Sequence, residues 1–174
     1  METPRPTFDS DVEECSARLR EIHRALADLA RERGWQPSHS GVGLFAELVA
    51  SGAWPDTAES RARLTCPGRN AAAQGEKSFA DLAALDEGHS AYAGRDLAAF
   101  PLPGFPTSGR EILMACDNAG GMNHDGVMNA LYADGSVKTF SLSAEIEGGA
   151  LPAGAASIPV GPDSPIPDLR KLRR

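Results

Sequence analysis

Between Asp9 and Arg33 the apolar residues Cys15, Leu19, Ile22, Leu26 and Leu29 recur at steps of four and three, which lines them up as one stripe on an α-helix. A strand would scatter the same residues over both of its faces. Asp9 or Ser10 is placed to cap this helix. Asp11, Glu13 and Glu14 suit its positive N-terminal end, and Arg31, Arg33 and Gly34 suit its exit. So narrow a stripe needs a covering surface, either the chain's own sheet or a helix of another subunit. The second alternative makes Leu19, Ile22, Leu26 and Leu29 a partner-facing surface.

Shorter elements follow. Residues 43–51 read as a second helix through Leu44, Phe45, Leu48 and Val49, closed by Gly52 and Trp54-Pro55; residues 57–63 add a turn. Leu64 to Pro67 is extended, and 70–77 is a small, polar excursion. Strand character returns at 90–95 and 111–116, on either side of a proline-rich loop at 100–109. The run Asn123-His124-Asp125-Gly126 is a polar, glycine-terminated turn leading into a hairpin. Its strands, 127–133 and 136–142, join through Asp134-Gly135 as a two-residue connection. That turn sets Tyr132 opposite Val137, and so places Met128, Ala130, Tyr132, Val137 and Thr139 on one face. The expected fold is α+β, a long N-terminal amphipathic helix packed on a small antiparallel meander of about four strands. It occupies residues 9–147. From 148 onward Gly, Ala and Pro dominate and the chain ends in Arg170-Lys171-Leu172-Arg173-Arg174, which reads as a disordered tail or tether with a basic end.

Composition removes some classes of function. A net charge of −7 disfavours nucleic acid as a partner, because phosphate binding needs a basic surface. No stretch approaches the roughly 20 apolar residues that cross a bilayer. The three cysteines, Cys15, Cys66 and Cys116, have no close-spaced zinc pattern. Cys66 and Cys116 either join as a disulfide, contributing about 4 kcal/mol by loop entropy, or remain separate buried thiols.

The densest collection of ligand-type residues lies near the hairpin. Asp117, Asn118, Asn123, His124, Asp125 and Asp134 offer oxygens and one imidazole. Oxygen-rich loops suit Ca²⁺, whereas a histidine with carboxylates suits Zn²⁺ or Mn²⁺. The ordinary alternative is turn chemistry, with His124 bonded to a neighbouring carboxylate or carbonyl. His124 with Asp125 or Asp134 also has the makings of a base and its orienting carboxylate, with Ser136 or Cys116 as nucleophile, but no nucleophile elbow or metalloprotease helix motif accompanies them.

Taken together, the blocks resemble the prepilin-type processing-associated domain defined by a histidine, nine residues and Asp-Gly, a pseudopilin-like bacterial family related to the major pseudopilin of type II secretion. His124, Asp134 and Gly135 carry the terminal signature, followed by Ser136-Val137. Cys15, Leu19, Ile22, Ala25 and Leu26 resemble its amphipathic helix, Trp54 and Cys66-Pro67-Gly68 its tryptophan and Cys-Pro element, and Tyr92-Ala93-Gly94 its aromatic strand. The family's basic leader, cleavage site and hydrophobic helix have no counterpart here.

The resemblance implies a non-enzymatic structural or protein-interaction domain of a bacterial secretion or fibre-type envelope assembly, with other pilin-like subunits as partners. It implies an extracytoplasmic location if an anchor has been removed and a cytoplasmic one if Met1 is the native start. It also implies a calcium-stabilised loop, as in related pseudopilins. The competing expectation is a metal-binding protein or metal-dependent hydrolase centred on His124, Asp125 and Asp134.

Overall fold

The computed structural model describes residues 8–68, 77–107 and 109–174. The expected excursion at 70–77 lies almost wholly outside them. The N-terminal helix α1 spans Phe8–Arg33, and its stripe is core: Cys15, Leu19, Ile22 and Leu26 are fully buried and Leu29 nearly so. They face the chain's own sheet and second helix, so the partner-facing reading of Leu19, Ile22, Leu26 and Leu29 does not hold. Burial of each large side chain is worth about 2 kcal/mol relative to exposure.

Helix α2 (Val42–Ala50) and the short α3 (Ala58–Arg63) follow, the latter capped by the Thr57 hydroxyl accepting from the Ser60 amide. The strands are β1 (Tyr92–Arg95), β2 (Ile112–Cys116), β3 (Val127–Tyr132) and β4 (Val137–Ser141). A fifth, β5 (Leu172–Arg173), comes from the C-terminal segment and gives an antiparallel sheet in the order β4-β3-β2-β1-β5. Helix α4 (Leu142–Glu147) leaves β4. No helix among the described residues is long and apolar enough to cross a membrane.

The terminal hairpin forms, one residue out of the expected register. Leu131, not Tyr132, is opposite Val137, and Ala130 is opposite Lys138. The Tyr132 amide donates to the Ser136 carbonyl, which leaves Ala133, Asp134 and Gly135 as a three-residue loop with Gly135 at φ 85°. Glycine takes that left-handed position without steric cost, which favours the longer loop. The slip exchanges the faces of β4 relative to β3. Met128 therefore shares a face with Phe140, and Leu131 shares the other with Val137.

Each face has its own cover. The Asn129 amide, on the Leu131 side, donates to the Val12 carbonyl of α1. On the Tyr132 side lies the segment expected to be a disordered tail. The Tyr132 hydroxyl donates to Asp168 at 2.8 Å, and Asn118 donates to the Ile158 carbonyl at 3.1 Å. Leu151, Ile158, Ile166, Leu169 and Leu172 are all buried. The basic end is tied down as well: Lys171 meets Glu111, and Arg174 meets Asp117. The expectation of a tether fails because five apolar residues spaced among prolines cover a sheet face that would otherwise be wet.

Candidate metal centre

Four side chains from four separate segments converge under α1. Cys15 comes from the buried stripe of the helix, Cys66 from the loop after α3, Cys116 from the end of β2, and His124 from the loop between β2 and β3. Their donor atoms all lie within 4.8 Å of one another. The sulfur separations are 3.5 Å for Cys15–Cys116 and 3.9 Å for both Cys15–Cys66 and Cys66–Cys116. The His124 Nε2 is 3.2 Å from the Cys66 sulfur.

Each segment is held in place locally. Arg18 on α1 donates to the carbonyls of Ala62 and Thr65, at 2.6 and 2.9 Å, which draws the Cys66 loop to the helix. The same loop is fixed from the other side to the residues that lead into β1: Ser90 donates to the Leu64 carbonyl and the Ala91 amide donates to Thr65. Cys66-Pro67-Gly68 then turns back on itself, with the Gly68 amide donating to the Cys66 sulfur at 3.4 Å. A Cβ on Gly68 would sit 2.3 Å from the Asn123 carbonyl oxygen, so only glycine lets this loop approach the backbone that presents His124. That backbone is closed by Asn123, whose side chain donates to the Asp117 carbonyl and whose amide donates to Asn118.

The separations fit a single tetrahedral ion. With zinc–sulfur bonds of about 2.3 Å, the edges of a tetrahedral site are about 3.8 Å between sulfurs and slightly shorter to a nitrogen. A disulfide is a different arrangement, with sulfurs about 2.05 Å apart, and all three cysteines are free thiols. The disulfide expected as one alternative for Cys66 and Cys116 therefore does not form; they are the unbonded buried thiols of the other, gathered with Cys15. Electrostatics point the same way. The Cys116 and Cys66 thiols pull Cys15 well below its ordinary value against the effect of burial. Cys116 is raised by its bonds to Cys15 and Cys66 and by burial. For Cys66 the Cys116 bond favours ionisation, but the Cys15 bond, burial and the nearby Cys15 charge together raise it. A divalent cation among the three sulfurs would allow all of them to ionise together. The His124 Nδ1 is buried without a hydrogen-bond partner among the described residues, so ligation through Nε2 would leave its N–H unsatisfied.

A Cys₃His set of soft, buried donors can hold a metal such as zinc and gives no support to calcium, which takes six to eight oxygens. With four protein donors, none more than 2% exposed, the set has the closed character of structural sites. Of the residues expected to ligate, only His124 belongs to it. Asp117 is paired with Arg174, and Asn123 is a backbone brace. Asp125 is exposed. Asp134, also exposed, accepts from the Ser136 amide and hydroxyl within its own turn. The side chain that touches the Asp-Gly turn is His23, whose Nε2 lies 2.7 Å from the Ala133 carbonyl oxygen.

Comparison with known proteins finds no matching family model, no matching curated protein and no matching solved structure. The centre is therefore read from its own geometry. Sequence reasoning missed Cys15, Cys66 and Cys116 as ligands because they are about fifty residues apart. The signals were present separately: a cysteine in a core stripe, a Cys-Pro-Gly turn and a cysteine ending a strand.

Proposed function

We propose that this chain is a non-enzymatic, pilin-like structural or protein-interaction domain whose fold is stapled by one zinc ion bound through Cys15, Cys66, Cys116 and His124. The observation that carries the zinc reading is the convergence of those four buried donors within 4.8 Å. A zinc ion there would crosslink α1, the Cys66 loop, the end of β2 and the loop entering the hairpin. Such a crosslink contributes folding energy directly, since the unfolded chain has no preformed site. Donor chemistry selects zinc over calcium: thiolate sulfur and imidazole nitrogen are soft ligands that suit Zn²⁺, whereas Ca²⁺ takes hard oxygens.

The structural role is supported by a long helix buried on an antiparallel sheet, and by the His124 to Asp134-Gly135 signature, in the order that the pseudopilin-like family would have. In this reading the domain works by contact with other envelope or fibre proteins, and zinc keeps its small core rigid. Purification under reducing conditions followed by elemental analysis should return one zinc per chain. A zinc chelator should lower the melting temperature, and added zinc should restore it. A chain that never carries zinc, and whose melting ignores both chelator and zinc, overturns the zinc reading. Cross-linking and size-exclusion with candidate pilin-like partners test the interaction role, and turnover of a substrate by the zinc-loaded chain would sink the non-enzymatic one.

A further inference from the structure

We propose that Tyr92 is a positioning residue of the metal centre, its hydroxyl donating a hydrogen bond to the Cys15 sulfur and so tuning how that sulfur holds a cation. The inference rests on the cation-binding reading above. Tyr92 opens β1 directly opposite Cys116 and is 1% exposed, its ring edge-on to Phe45. Among the described residues the hydroxyl has two polar contacts, and both end on Cys15: the sulfur at 3.4 Å and the carbonyl oxygen at 3.5 Å.

A thiol can be the donor or the acceptor in such a contact. A ligating sulfur has lost its proton and can only accept, so the phenol must then supply the hydrogen. Between a neutral carbonyl and a charged sulfur at nearly equal distance, the charge-assisted bond to sulfur is the stronger. The donor also answers a need of the site, because three thiolates around a divalent ion leave excess negative charge in an apolar interior. The Gly68 amide disperses it at Cys66, and Tyr92 does so at Cys15. Partners of this kind set ligand basicity and orientation, and their loss commonly costs ten- to hundredfold in metal affinity, by about the same physics here.

The test is a Co²⁺ titration of the whole chain under reducing conditions, comparing the native sequence with Tyr92→Phe. The native chain should develop a sulfur-to-cobalt charge-transfer band. In Tyr92→Phe that band should move to longer wavelength, because the undamped sulfur is easier to oxidise, and Co²⁺ affinity should fall about tenfold. The chain has only one other tyrosine, Tyr132. Incorporating 3-fluorotyrosine into a Tyr132→Phe chain therefore alters Tyr92 alone, and its more acidic phenol should shift the band to shorter wavelength. This second arm decides the matter if Tyr92→Phe does not fold. An unmoved band and affinity within twofold in Tyr92→Phe, or an unmoved band in the fluorinated chain, overturns the role of Tyr92 while leaving the metal centre standing. Absence of any sulfur-to-cobalt band in the native chain overturns the metal reading itself and this inference with it.

Discussion

Two regions of this chain are rich in cation-binding groups, and they treat those groups in opposite ways. Around the hairpin, Asp117, Asp125 and Asp134 are near neighbours in sequence, yet two have local or terminal partners and Asp125 stays in solvent. Under α1, Cys15, Cys66, Cys116 and His124 are remote in sequence, yet they share one buried point. The contrast shows that contiguity is a poor guide to a metal site when the residues concerned are also good turn formers. A carboxylate in a tight turn is satisfied by nearby amides. A thiol in a core has no such outlet, and four donors meeting there can hold one cation.

The largest way to break this comparison is to remove a sulfur. Cys66→Ser should abolish stoichiometric zinc and lower the melting temperature by about 10 °C or more, as expected when a crosslink worth several kcal/mol is lost. Elemental analysis and a thermal melt check it together; a variant that keeps both its zinc and its melting temperature removes Cys66 from the centre. Next in size is Gly68→Ala, which keeps all four donors but drives a Cβ into the Asn123 carbonyl. It should cost about 2–4 kcal/mol and weaken zinc binding, measured by denaturant unfolding and by competition with a chromophoric chelator.

A smaller effect belongs to the network that holds the C-terminal segment. Lys171 and Arg95 keep the Glu111 carboxyl below its ordinary value. A depressed folded-state value means that this stabilisation is present above the unfolded carboxylate range and is lost as pH falls through the folded value. Glu111→Gln should therefore cost about 1–2 kcal/mol at neutral pH, discounted because the side chain is partly exposed, and flatten the acid limb of the stability profile. Unfolding measured from pH 7 down to pH 3 reads it; an unchanged acid limb would show that the network contributes nothing. The smallest effect is that of Asp134→Ala, in the exposed turn. It should change stability by about 1 kcal/mol or less and leave zinc content untouched, whereas lost zinc would return the hairpin to the candidate site.

Much of the fold was legible. The α1 stripe, the helix expected at 43–51 and found at Val42–Ala50, the antiparallel strands and the existence of the terminal hairpin all follow from short-range pattern. What was not legible has specific causes. The hairpin register turned on whether Gly135 closed a two- or a three-residue loop, and both are common after Asp-Gly. The C-terminal segment looked like a tether because Leu151, Ile158, Ile166, Leu169 and Leu172 follow neither helical nor strand periodicity. They make sense only beside the sheet face they cover. Of the candidate site, His124 was legible in the sequence, but it was grouped with Asp125 and Asp134 rather than with the three cysteines.

The sequence by itself determined which stretches become α1 to α3 and β1 to β4, because steric preference and hydrophobic period act over a few residues. Tertiary structure alone decided that the helix stripe is covered from within, that the basic end is tied to Glu111 and Asp117, and that three cysteines about fifty residues apart meet one histidine. Those outcomes depend on how layers stack and which loops can approach closely, down to a single glycine against a single carbonyl. No local pattern records such an approach, since the residues that make it possible are neighbours only after the chain has folded.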